Sequence, residues 1–382
     1  MRIAVVNSIR VCGGGEKWLV RQASCWKEEG HEPLIIAQPG SGLERLGKEA
    51  GLGTQAVSMR NDVSLRAVAK LAGVLRRFRP SVVLCCNERA FRLTMPARKW
   101  AGRPPLIYRN GLTATFKNRS INRLLFREAA RMIVISEPLR EEMASYGWIP
   151  SDRLQVIRNG IDPALYLPDL DARARVRAEV GTSADATVAA VLARVTEDKG
   201  QVETIEAMAS LAQEFPKAEL WIVGEGTLRP RLEDQARQAG ISNRVRFLGF
   251  RTDIAAVFQA VDVVVQASHR EGLGNTLLEA MASRRPIVAS SVGGIVDVVV
   301  PGETGELVPP YDAPAIAAAL GPLFADPELR QRYGDAGWRR VQEQFQLTRE
   351  TQDWCRLFEQ IAGARGRQAL RGASPMSQPS DT

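Results

Sequence analysis

Short apolar segments that alternate with segments of helical length constrain the fold of this chain more than any other feature. Most of these segments are rich in Val and Ile and show no polar alternation, which is typical of parallel strands buried on both faces. Because helical segments separate many of them, the pattern predicts repeated β-α-β units and doubly wound α/β sheets. The predicted strands are Ile3–Val6, Leu34–Ala37, Val82–Cys85, Leu106–Tyr108, Met132–Ile135, Gln155–Ile157, Thr187–Val191, Glu219–Val223, Val245–Leu248, Asp262–Val265 and Pro286–Ala289.

So many strands exceed what one open sheet usually holds, so we predict two sheets in two domains. The length of 382 residues agrees with two or three domains. Residues 163–168 contain two prolines and no apolar periodicity, which indicates a linker. We therefore predict an N-terminal domain over residues 1–163 and a C-terminal domain over 164–347. The polar tail, residues 363–382, is predicted to be disordered.

Charge is distributed unevenly along the chain. The net charge is +8, but residues 1–150 alone carry 25 Lys and Arg against 12 Asp and Glu, a net charge of +13, and the rest of the chain is acidic. A basic front half predicts an anionic partner, such as nucleic acid, an anionic membrane surface or a phosphorylated substrate. No nucleic-acid-binding motif or aromatic platform accompanies the charge, so we predict no nucleic-acid partner.

Cysteine usage and the N-terminus indicate the compartment. The five cysteines form no CxxC pair and only two histidines exist, so a structural zinc site is not expected. Such an unpatterned count is typical of reduced thiols in the cytoplasm. We expect neither a signal peptide nor a membrane-spanning helix, because no apolar stretch is long enough. Any membrane association would then be peripheral, on the inner face.

A glycine-rich segment, Cys12-Gly13-Gly14-Gly15-Glu16-Lys17, follows the first predicted strand. Adjacent glycines let backbone N–H groups approach a ligand, and a helix that begins here would favour an anion. The segment is not a dinucleotide fingerprint, because Trp18 stands where the third glycine of GxGxxG would be. An ordinary strand-to-helix turn is the alternative interpretation.

Two cations flank a short loop after the predicted strand Thr187–Val191. Arg194 and Lys199 lie in the segment Ala193–Gly200. An arginine fork and a lysine point charge together can hold a diphosphate. The alternative is a pair of surface cations.

The most specific motif is the segment 268–282, which places Glu271 and Glu279 on either side of a glycine loop and a predicted helix start. Backbone N–H groups of Gly274–Thr276 would face the crevice at the carboxyl end of a strand, where open α/β sheets bind ligands. Carboxylates are acceptors that can each hold two hydroxyls. The pattern suits a sugar nucleotide, with Glu271 on the sugar and Glu279 on the ribose. A capped helix with a solvated Glu279 is the alternative, and it does not explain Glu271 beside two glycines.

These motifs, taken in order, resemble a GT-B glycosyltransferase of family 4, the large retaining group. The matching segments are GGGEK at 13–17, RNGID at 158–162, ARVTEDKG at 193–200, VGEGTLRPRLE at 223–233, VRFLGF at 245–250, EGLGNTLLEAMAS at 271–283, ASSVGG at 289–294 and PGETGELV at 301–308. The resemblance implies two Rossmann-like doubly wound domains that face each other across a cleft. It also implies a donor site in the C-terminal domain, acceptor binding in the N-terminal domain, and a helix over 348–362 that crosses back to the N-terminal domain.

The resemblance also implies a set of site residues. Arg194 and Lys199 would neutralise the donor diphosphate, and Glu271 would orient the transferred sugar; these three are the expected catalytic residues. Glu279 would hold the ribose, and the base would meet Phe250 and Arg251. The expected donor-binding residues are Gly14, Gly15, Arg194, Lys199, Phe250, Arg251, Gly272, Leu273, Gly274, Asn275, Thr276 and Glu279.

One position departs from the family pattern. Many family members carry a His after the strand that corresponds to Leu106–Tyr108, whereas this chain has Arg109-Asn110-Gly111. We expect Arg109 to serve as a substitute cation, and Arg109, Asn110 and His269 to be sugar or acceptor contacts. Asp297 stands where Glu is common in the family.

The resulting functional hypothesis is a retaining hexosyltransferase in cell-surface polysaccharide or lipopolysaccharide biosynthesis. It would move a sugar from a UDP- or GDP-linked donor to a glycan or lipid-linked acceptor, by front-face attack assisted by the diphosphate, with no cofactor and no required metal. The DxD-like triplet Asp169-Leu170-Asp171 is interpreted as surface. A GT-B sugar-nucleotide epimerase and an inactive sugar-nucleotide-binding module are the alternatives.

Overall fold

The computed structural model describes residues 1–11, 13–111 and 120–371. The chain divides into two compact units. Unit 1 contains Met1–Val134, Arg140–Ile157 and the last segment from Thr351, and unit 2 contains Ile135–Leu139 and Arg158–Glu350.

Unit 1 alternates strands and helices. Its strands are β1 (Arg2–Val6), β2 (Glu32–Ala37), β3 (Gly53–Ala56), β4 (Val82–Cys85), β5 (Leu106–Asn110), β6 (Arg131–Val134) and β7 (Leu154–Val156). Its helices are α1 (Gly14–Glu28), α2 (Gly42–Glu49), α3 (Leu65–Phe78), α4 (Glu88–Lys99), α5 (Ser120–Arg127) and α6 (Glu137–Ser145), which begins in unit 2.

In the described part of unit 1, the strands form a parallel sheet in the order β3-β2-β1-β4-β5-β6-β7. The order reverses direction between β1 and β4. Side chains of β1, β2 and β4 form the core together with Trp18 and Trp26 of α1, and Trp354 and Phe358 of the last helix complete it. The Trp26 and Trp354 rings pack edge to face with centroids 5.7 Å apart.

Unit 2 repeats the pattern. Its strands are β8 (Thr187–Leu192), β9 (Ala218–Val223), β10 (Val245–Gly249), β11 (Val263–Gln266), β12 (Ile287–Ser290) and β13 (Gly305–Val308). The helices are α7 (Leu170–Val180), α8 (Gln201–Leu211), α9 (Arg229–Gln238), α10 (Ile254–Ala260), α11 (Asn275–Ala282), α12 (Ile295–Val298), α13 (Ala313–Ala325), α14 (Pro327–Gln344) and α15 (Leu347–Arg371), which continues into unit 1.

The second sheet is also parallel, in the order β10-β9-β8-β11-β12-β13, within the described residues. Its central strands are apolar on both faces, as parallel strands covered by helices on both sides must be. The direction of the strand order reverses between β8 and β11. The prediction of two Rossmann-like, doubly wound α/β domains is therefore confirmed.

All eleven predicted strands are present, and two further strands, β3 and β13, were not predicted. Both are edge strands, with one neighbour each. β3 reads GTQA and has no buried residue, and β13 reads GELV with partly exposed central residues. An edge strand needs less apolar surface than a central strand, so it lacks the apolar run used to identify the others.

The last helix differs from its expected length. α15 continues to Arg371, so part of the segment 363–382 that was expected to be disordered is helical, and residues 372–382 lie outside the described residues. From Thr351 onward this helix belongs to unit 1, whereas its first turn belongs to unit 2. Within the described residues, no helix is long and apolar enough to span a membrane.

Candidate functional site

The strand order of unit 2 determines where a ligand site is expected. The order reverses between β8 and β11, and the carboxyl ends of the strands at such a reversal point are a preferred place for a ligand. We call this place, at the carboxyl ends of β8 and β11, the crevice. The loop after β8 carries Arg194 and Lys199, and the loop after β11 carries Glu271 and leads into α11. The segment with Arg194 and Lys199 and the segment with Glu271 therefore follow the two strands at the reversal point.

Backbone contacts hold these loops against each other. Gly200 has a φ of +69°, and a Cβ at this position would overlap the carbonyl of Ala267 at the end of β11. The amide of His269 also donates to the carbonyl of Asp198 over 2.9 Å. The glycine is required because the two backbones approach more closely than any side chain allows.

The loops after β9 and β10 extend the same edge of the sheet. The amide of Ala193 donates to Val223 over 3.0 Å, and the amide of Gly224 donates to the carbonyl of Gly249 over 2.8 Å. The amide of Val195 donates to Glu225 over 3.0 Å. The segments around Arg194, Glu225 and Phe250 thus form a continuous rim at the carboxyl ends of β8, β9 and β10.

The centre of the site is an ion pair between the two loops at the crevice. Lys199 Nζ donates to Glu271 Oε2 over 2.9 Å, and the side chains are only 14% and 18% exposed. Gln266 Nε2, at the end of β11, donates to the same oxygen over 3.0 Å, and the amide of Gly272 donates to Oε1 over 3.2 Å. The carboxylate of Glu271 is therefore fixed in position by three donors.

The other cation, Arg194, is exposed at the rim. The Nε2 of Gln201 donates to the backbone carbonyl of Arg194 over 2.9 Å. This hydrogen bond fixes the backbone of the loop at Arg194. Burial raises the pKa of the nearby Asp198, but the Thr196 hydroxyl and the charges of Lys199 and Arg194 outweigh it, so this pKa is lowered from its ordinary value. The rim thus combines two cations with a carboxylate held in its charged form.

The N-terminus of α11 lies at the same crevice. Gly274, with a φ of +89°, precedes the helix, and its first residues are Asn275 and Thr276. Asn159 Nδ2 donates to Asn275 Oδ1 over 2.8 Å, and the Thr276 hydroxyl donates to the carbonyl of Leu192 over 3.4 Å. The first amides of a helix have no intrahelical acceptor and favour an anion.

Two other expected donor contacts occupy different environments. Leu273 is 1% exposed and packs inside unit 2, so a ligand could meet only its backbone. Gly272 and Gly274 have no side chain, so they too could contact a ligand only through the backbone. Glu279 is half-buried on α11, one helical turn beyond the first residues of the helix. Its contact with a ribose stays a prediction.

Phe250 and Arg251 follow β10, and they differ in what they offer a ligand. The Phe250 ring is 68% exposed, which suits stacking with a planar base. Arg251 binds both carboxylate oxygens of Glu179 and donates to Asp253 from Nε over 2.8 Å. These two carboxylates raise the pKa of Arg251, and they occupy most of its N–H groups. Arg251 therefore holds α7 and the loop after β10 together.

His269 lies two residues before Glu271 in the chain, and its ring contacts other side chains. Its Nε2 is 2.9 Å from Glu203 Oε1 of α8, and its ring stacks on Tyr311 with centroids 3.7 Å apart. These contacts, with the hydrogen bond from the His269 amide to the carbonyl of Asp198, anchor the start of the Glu271 loop. The expectation of a sugar or acceptor contact from His269 stays a prediction.

The glycine-rich segment of unit 1 is partly described, because Cys12 lies outside the described residues. Gly14 and Gly15 are exposed at the start of α1, with open space around each. The amide of Gly13 donates to Glu16 Oε2 over 2.9 Å, and Asn7 Nδ2 donates to Glu16 Oε1 over 3.1 Å. A buried carboxylate of the chain itself therefore already caps α1.

Arg109 and Asn110, at the end of β5, are both 6% exposed. The Arg109 guanidinium lies 3.4 Å from the ring centroid of Trp18, a cation–π contact within unit 1. Asn110 Nδ2 is 3.7 Å from Met143 Sδ. The structure gives both residues a packing role in unit 1, and their contact with a sugar stays a prediction.

The DxD-like triplet is part of a helix cap. Asp169 accepts from the amide of Ala172 over 2.8 Å and begins α7, and Asp171 lies in the first turn. In the described ranges, no group of three or more His, Cys, Asp or Glu residues is placed to hold a metal ion. The cap accounts for Asp169, and Asp171 is exposed in the first turn of α7.

Three polar contributors to the site were not predicted from the sequence: Gln266, Asn159 and Gln201. Each donates a hydrogen bond from its side-chain amide to a motif residue and so orients that residue. Gln266 carries one readable signal, because it is the last residue of a strand at the reversal point. Asn159 lies far from Asn275 in sequence, so only the folded chain brings the two together.

Comparison with known proteins agrees with this geometry. Residues 172–340 match the family model of glycosyl transferases group 1, and residues 12–165 match that of glycosyltransferase family 4. The lipopolysaccharide core biosynthesis glycosyltransferase LpsE of Rhizobium meliloti is 32% identical over 350 residues, which are 91% of this chain and 96% of LpsE. The lipopolysaccharide core biosynthesis mannosyltransferase LpcC of Rhizobium leguminosarum is 32% identical over 213 residues, 54% of this chain and 60% of LpcC.

Solved structures support the fold. HepE of Anabaena, crystallised in complex with UDP, superposes with a TM-score of 0.85 and 22% identity, covering 94% of this chain and 100% of HepE. Two parallel-sheet domains, the family models and a relative matched over nearly its whole length lead to one assignment: the chain belongs to the group 1 glycosyltransferases of the GT-B fold.

Proposed function

We propose that unit 2 binds a nucleotide-sugar donor at the crevice between β8 and β11, and that the enzyme transfers the sugar with retention of anomeric configuration. The observation that carries this proposal is the carboxylate of Glu271, held by Lys199, Gln266 and the amide of Gly272 beside the N-terminus of α11. A fixed acceptor for sugar hydroxyls thus lies next to fixed donors for a diphosphate.

The diphosphate would be held by cations and amides together. Arg194 supplies a guanidinium fork at the rim, and the amides of Gly274–Thr276 supply the positive end of α11. The ammonium of Lys199 is paired with Glu271. An arriving phosphate would share this ammonium, so that Lys199 bridges the carboxylate that orients the sugar and the phosphate that leaves.

This arrangement suits the charge that develops during transfer. As the bond between the sugar and the diphosphate breaks, negative charge grows on a phosphate oxygen. Donors that are already oriented there stabilise this charge with little reorganisation; one such donor typically contributes about 3 kcal/mol. No side chain in the crevice is assigned as a nucleophile, and we propose front-face attack assisted by the diphosphate, without a resident metal.

The nucleoside would lie along the rim toward β10. Glu279 would accept from the ribose hydroxyls, and the exposed ring of Phe250 would stack on the base. HepE, which shares the fold, was crystallised with UDP, so UDP is the first nucleotide to test and GDP the second.

The acceptor is proposed to be a glycan or a lipid-linked sugar in lipopolysaccharide or other cell-surface polysaccharide biosynthesis. LpsE and LpcC, which resemble this chain, both act in lipopolysaccharide core biosynthesis by their names. The net charge of +13 in residues 1–150 supports a cytoplasmic enzyme that meets an anionic membrane surface with unit 1.

Calorimetric titration with UDP and with GDP, without added metal, tests the donor site. We expect one of the two to bind, and the Glu279→Ala variant to lose most of that binding because the ribose loses its acceptor. Glu214→Ala is the matched control, since Glu214 is an exposed carboxylate on the surface of unit 2. If neither nucleotide binds, or if both variants bind like the wild type, the donor site is misassigned.

Product analysis tests the reaction. The enzyme is incubated with lipopolysaccharide core acceptors and with hexoses linked to whichever nucleotide binds, UDP or GDP. The products should be free nucleoside diphosphate and a new glycoside of unchanged anomeric configuration. An isomerised sugar nucleotide with no glycoside would instead identify an epimerase.

A further inference from the structure

A cavity in unit 1 takes no part in the donor site proposed above. It has a volume of about 540 Å³ and lies at the carboxyl ends of β1, β2 and β4, where the strand order of the first sheet reverses. Its lining residues are Ser8, Ile9, Arg10, Gln38, Arg60, Asp62, Asn87, Glu88 and Arg89. The reversal point of an open α/β sheet is a preferred place for a ligand.

The floor of the cavity is polar and held in place. The Ser8 hydroxyl donates to Asn87 Oδ1 over 2.7 Å, and Asn87 Nδ2 donates to Asn7 Oδ1 over 2.8 Å. Gln38, which is 3% exposed, donates from Nε2 to the carbonyl of Met59 over 2.7 Å. These donors are used within the floor, which fixes its shape, and the oxygen of the Ser8 hydroxyl keeps lone pairs that can accept from a sugar hydroxyl.

The acidic residues of the cavity are matched by two arginines. Arg89 Nε donates to Asp62 Oδ1 over 2.8 Å, and Arg92 donates to Asp62 Oδ2 over 2.6 Å and also binds Glu88. Arg89 and Arg92 hold the pKa of Asp62 below its ordinary value, although burial acts against them. The carboxylates of Asp62 and Glu88 are thus paired with arginines in the wall of the cavity.

Two further arginines, Arg10 and Arg60, are exposed at the cavity. Among the residues that the structure describes, no carboxylate forms an ion pair with either. The cavity therefore presents two positive charges above a polar floor. Arginine forks bind phosphate oxygens in pairs, and they do so more strongly in a concave site than on an open surface.

We propose that this cavity is an acceptor subsite that recognises a sugar bearing a phosphate group. Arg10 and Arg60 bind the phosphate, and Ser8, Gln38 and Asn87 face the sugar. The proposal rests on the proposed function, because it names the chemical class of the acceptor that the transferase uses. It adds that a neutral sugar is a poor acceptor for this enzyme.

The phosphate can be carried by a soluble sugar or by a lipid, and the surroundings of the cavity make both sources worth testing. Ile9 lines the cavity and is 41% exposed, and Val11 and Val63, which lie next to cavity residues in the chain, are 79% and 85% exposed. Exposed aliphatic side chains beside arginines fit a phosphate near apolar chains.

Titration of the full chain with glucose 6-phosphate and with glucose tests the proposal, and the Arg10→Gln/Arg60→Gln double variant removes both charges. We expect glucose 6-phosphate to bind the wild type about tenfold or more tightly than glucose, and this preference to vanish in the double variant. The control is Arg76→Gln/Arg77→Gln, which removes two exposed charges from the end of α3, away from the cavity. The control should keep the preference.

Equal binding of glucose and glucose 6-phosphate to the wild type overturns the proposal, and so does an equal loss in the control variant. UDP binding is measured in the same samples, so failure of the donor site is recognised separately. Phosphatidylglycerol vesicles distinguish the sources. If the double variant loses both vesicle binding and the sugar-phosphate preference, the phosphate is assigned to a lipid. If the double variant loses vesicle binding but the wild type shows no sugar-phosphate preference, the subsite is overturned.

Discussion

At the scale of single residues, the properties of the donor crevice come from the contact between Lys199 and Glu271. A carboxylate and an ammonium that are both largely buried stabilise each other only while both are present, because either one alone would be a poorly solvated charge. Gln266 and the amide of Gly272 share the remaining lone pairs of the carboxylate. The pair is thus able to hold its geometry before any substrate arrives.

Replacing Glu271 with Ala should reduce turnover by about tenfold to a hundredfold, since a hydrogen bond from a sugar hydroxyl to a charged acceptor contributes about 1.5–3 kcal/mol. The measurement is kcat with the active donor, together with circular dichroism to confirm folding. Glu214→Ala, an exposed change in the same unit, should leave kcat unchanged. A normal kcat in Glu271→Ala would remove Glu271 from the site.

The close contact between Gly200 and Ala267 predicts a second residue-scale effect. Gly200→Ala adds a Cβ that overlaps the Ala267 carbonyl, whereas Gly240→Ala adds one in open space at a similar φ, +71° against +69°. Both variants pay the strain of a left-handed residue, about 1 kcal/mol, so their difference isolates the overlap. We expect Gly200→Ala to lower the free energy of unfolding by about 2 kcal/mol more than Gly240→Ala.

Urea denaturation of the two glycine variants measures this difference. Equal destabilisation would mean that the two loops separate at little cost and that the crevice is less rigid than its contacts indicate.

At the scale of secondary-structure elements, buried arginines join helices to the sheet of unit 2. Arg177 of α7, which is 3% exposed, donates from Nη2 to Asp262 over 2.7 Å and from Nε to the carbonyl of Ala260 over 2.9 Å. Asp262 in turn accepts from the amide of Val188 of β8 over 2.8 Å. Burial lowers the pKa of Arg177, and the charge of Asp262 opposes this. The network connects α7 to two strands that flank the donor crevice.

Arg177→Met should destabilise unit 2 by about 3 kcal/mol, because it removes one of the two arginines that pair with Asp262, the other being Arg173, and leaves the buried carbonyl of Ala260 without this donor. Arg175→Met is the matched control, since Arg175 is exposed on the same helix and a surface cation contributes about 0–1 kcal/mol. Thermal unfolding followed by circular dichroism measures both. If Arg175→Met lowers the unfolding temperature as much as Arg177→Met does, the loss comes from a change in α7 itself and not from the network.

At the scale of the whole molecule, the two halves of the sequence carry opposite charge. Residues 1–150 have a net charge of +13, although the chain as a whole has +8. Long-range attraction to anionic surfaces depends on this distribution and not on any single contact. The net charge of residues 1–150 therefore acts on a whole anionic surface, whereas the two arginines of the unit 1 cavity act on one bound phosphate.

Flotation with vesicles tests the whole-molecule charge. The protein should float with phosphatidylglycerol vesicles at low salt and remain unbound with phosphatidylcholine vesicles. Binding should be lost at about 0.5 M salt, where the Debye length falls to about 4 Å. Binding that is independent of salt, or that is equal for both lipids, would contradict a surface-charge mechanism.

Much of this architecture was predictable from the amino-acid sequence. Central strands such as β8 and β11 are covered on both faces, so burial imposes continuous apolar runs that identify them. The edge strands β3 and β13 lack that requirement and were missed. Likewise, the Glu271–Glu279 segment combines glycines and carboxylates in a pattern that sheet geometry alone does not need, so it identified the crevice.

The sequence by itself determined the class of fold, most of the strands, and the motif residues that follow the strands of unit 2, because these depend on local patterns of apolar, glycine and charged residues. Only the tertiary structure decided which polar atoms meet. It paired Lys199 with Glu271, buried Arg109 on Trp18, and left Arg10 and Arg60 exposed at a polar cavity. Hydrogen bonds and ion pairs act over a few ångströms, and the residues that form them lie far apart along the chain.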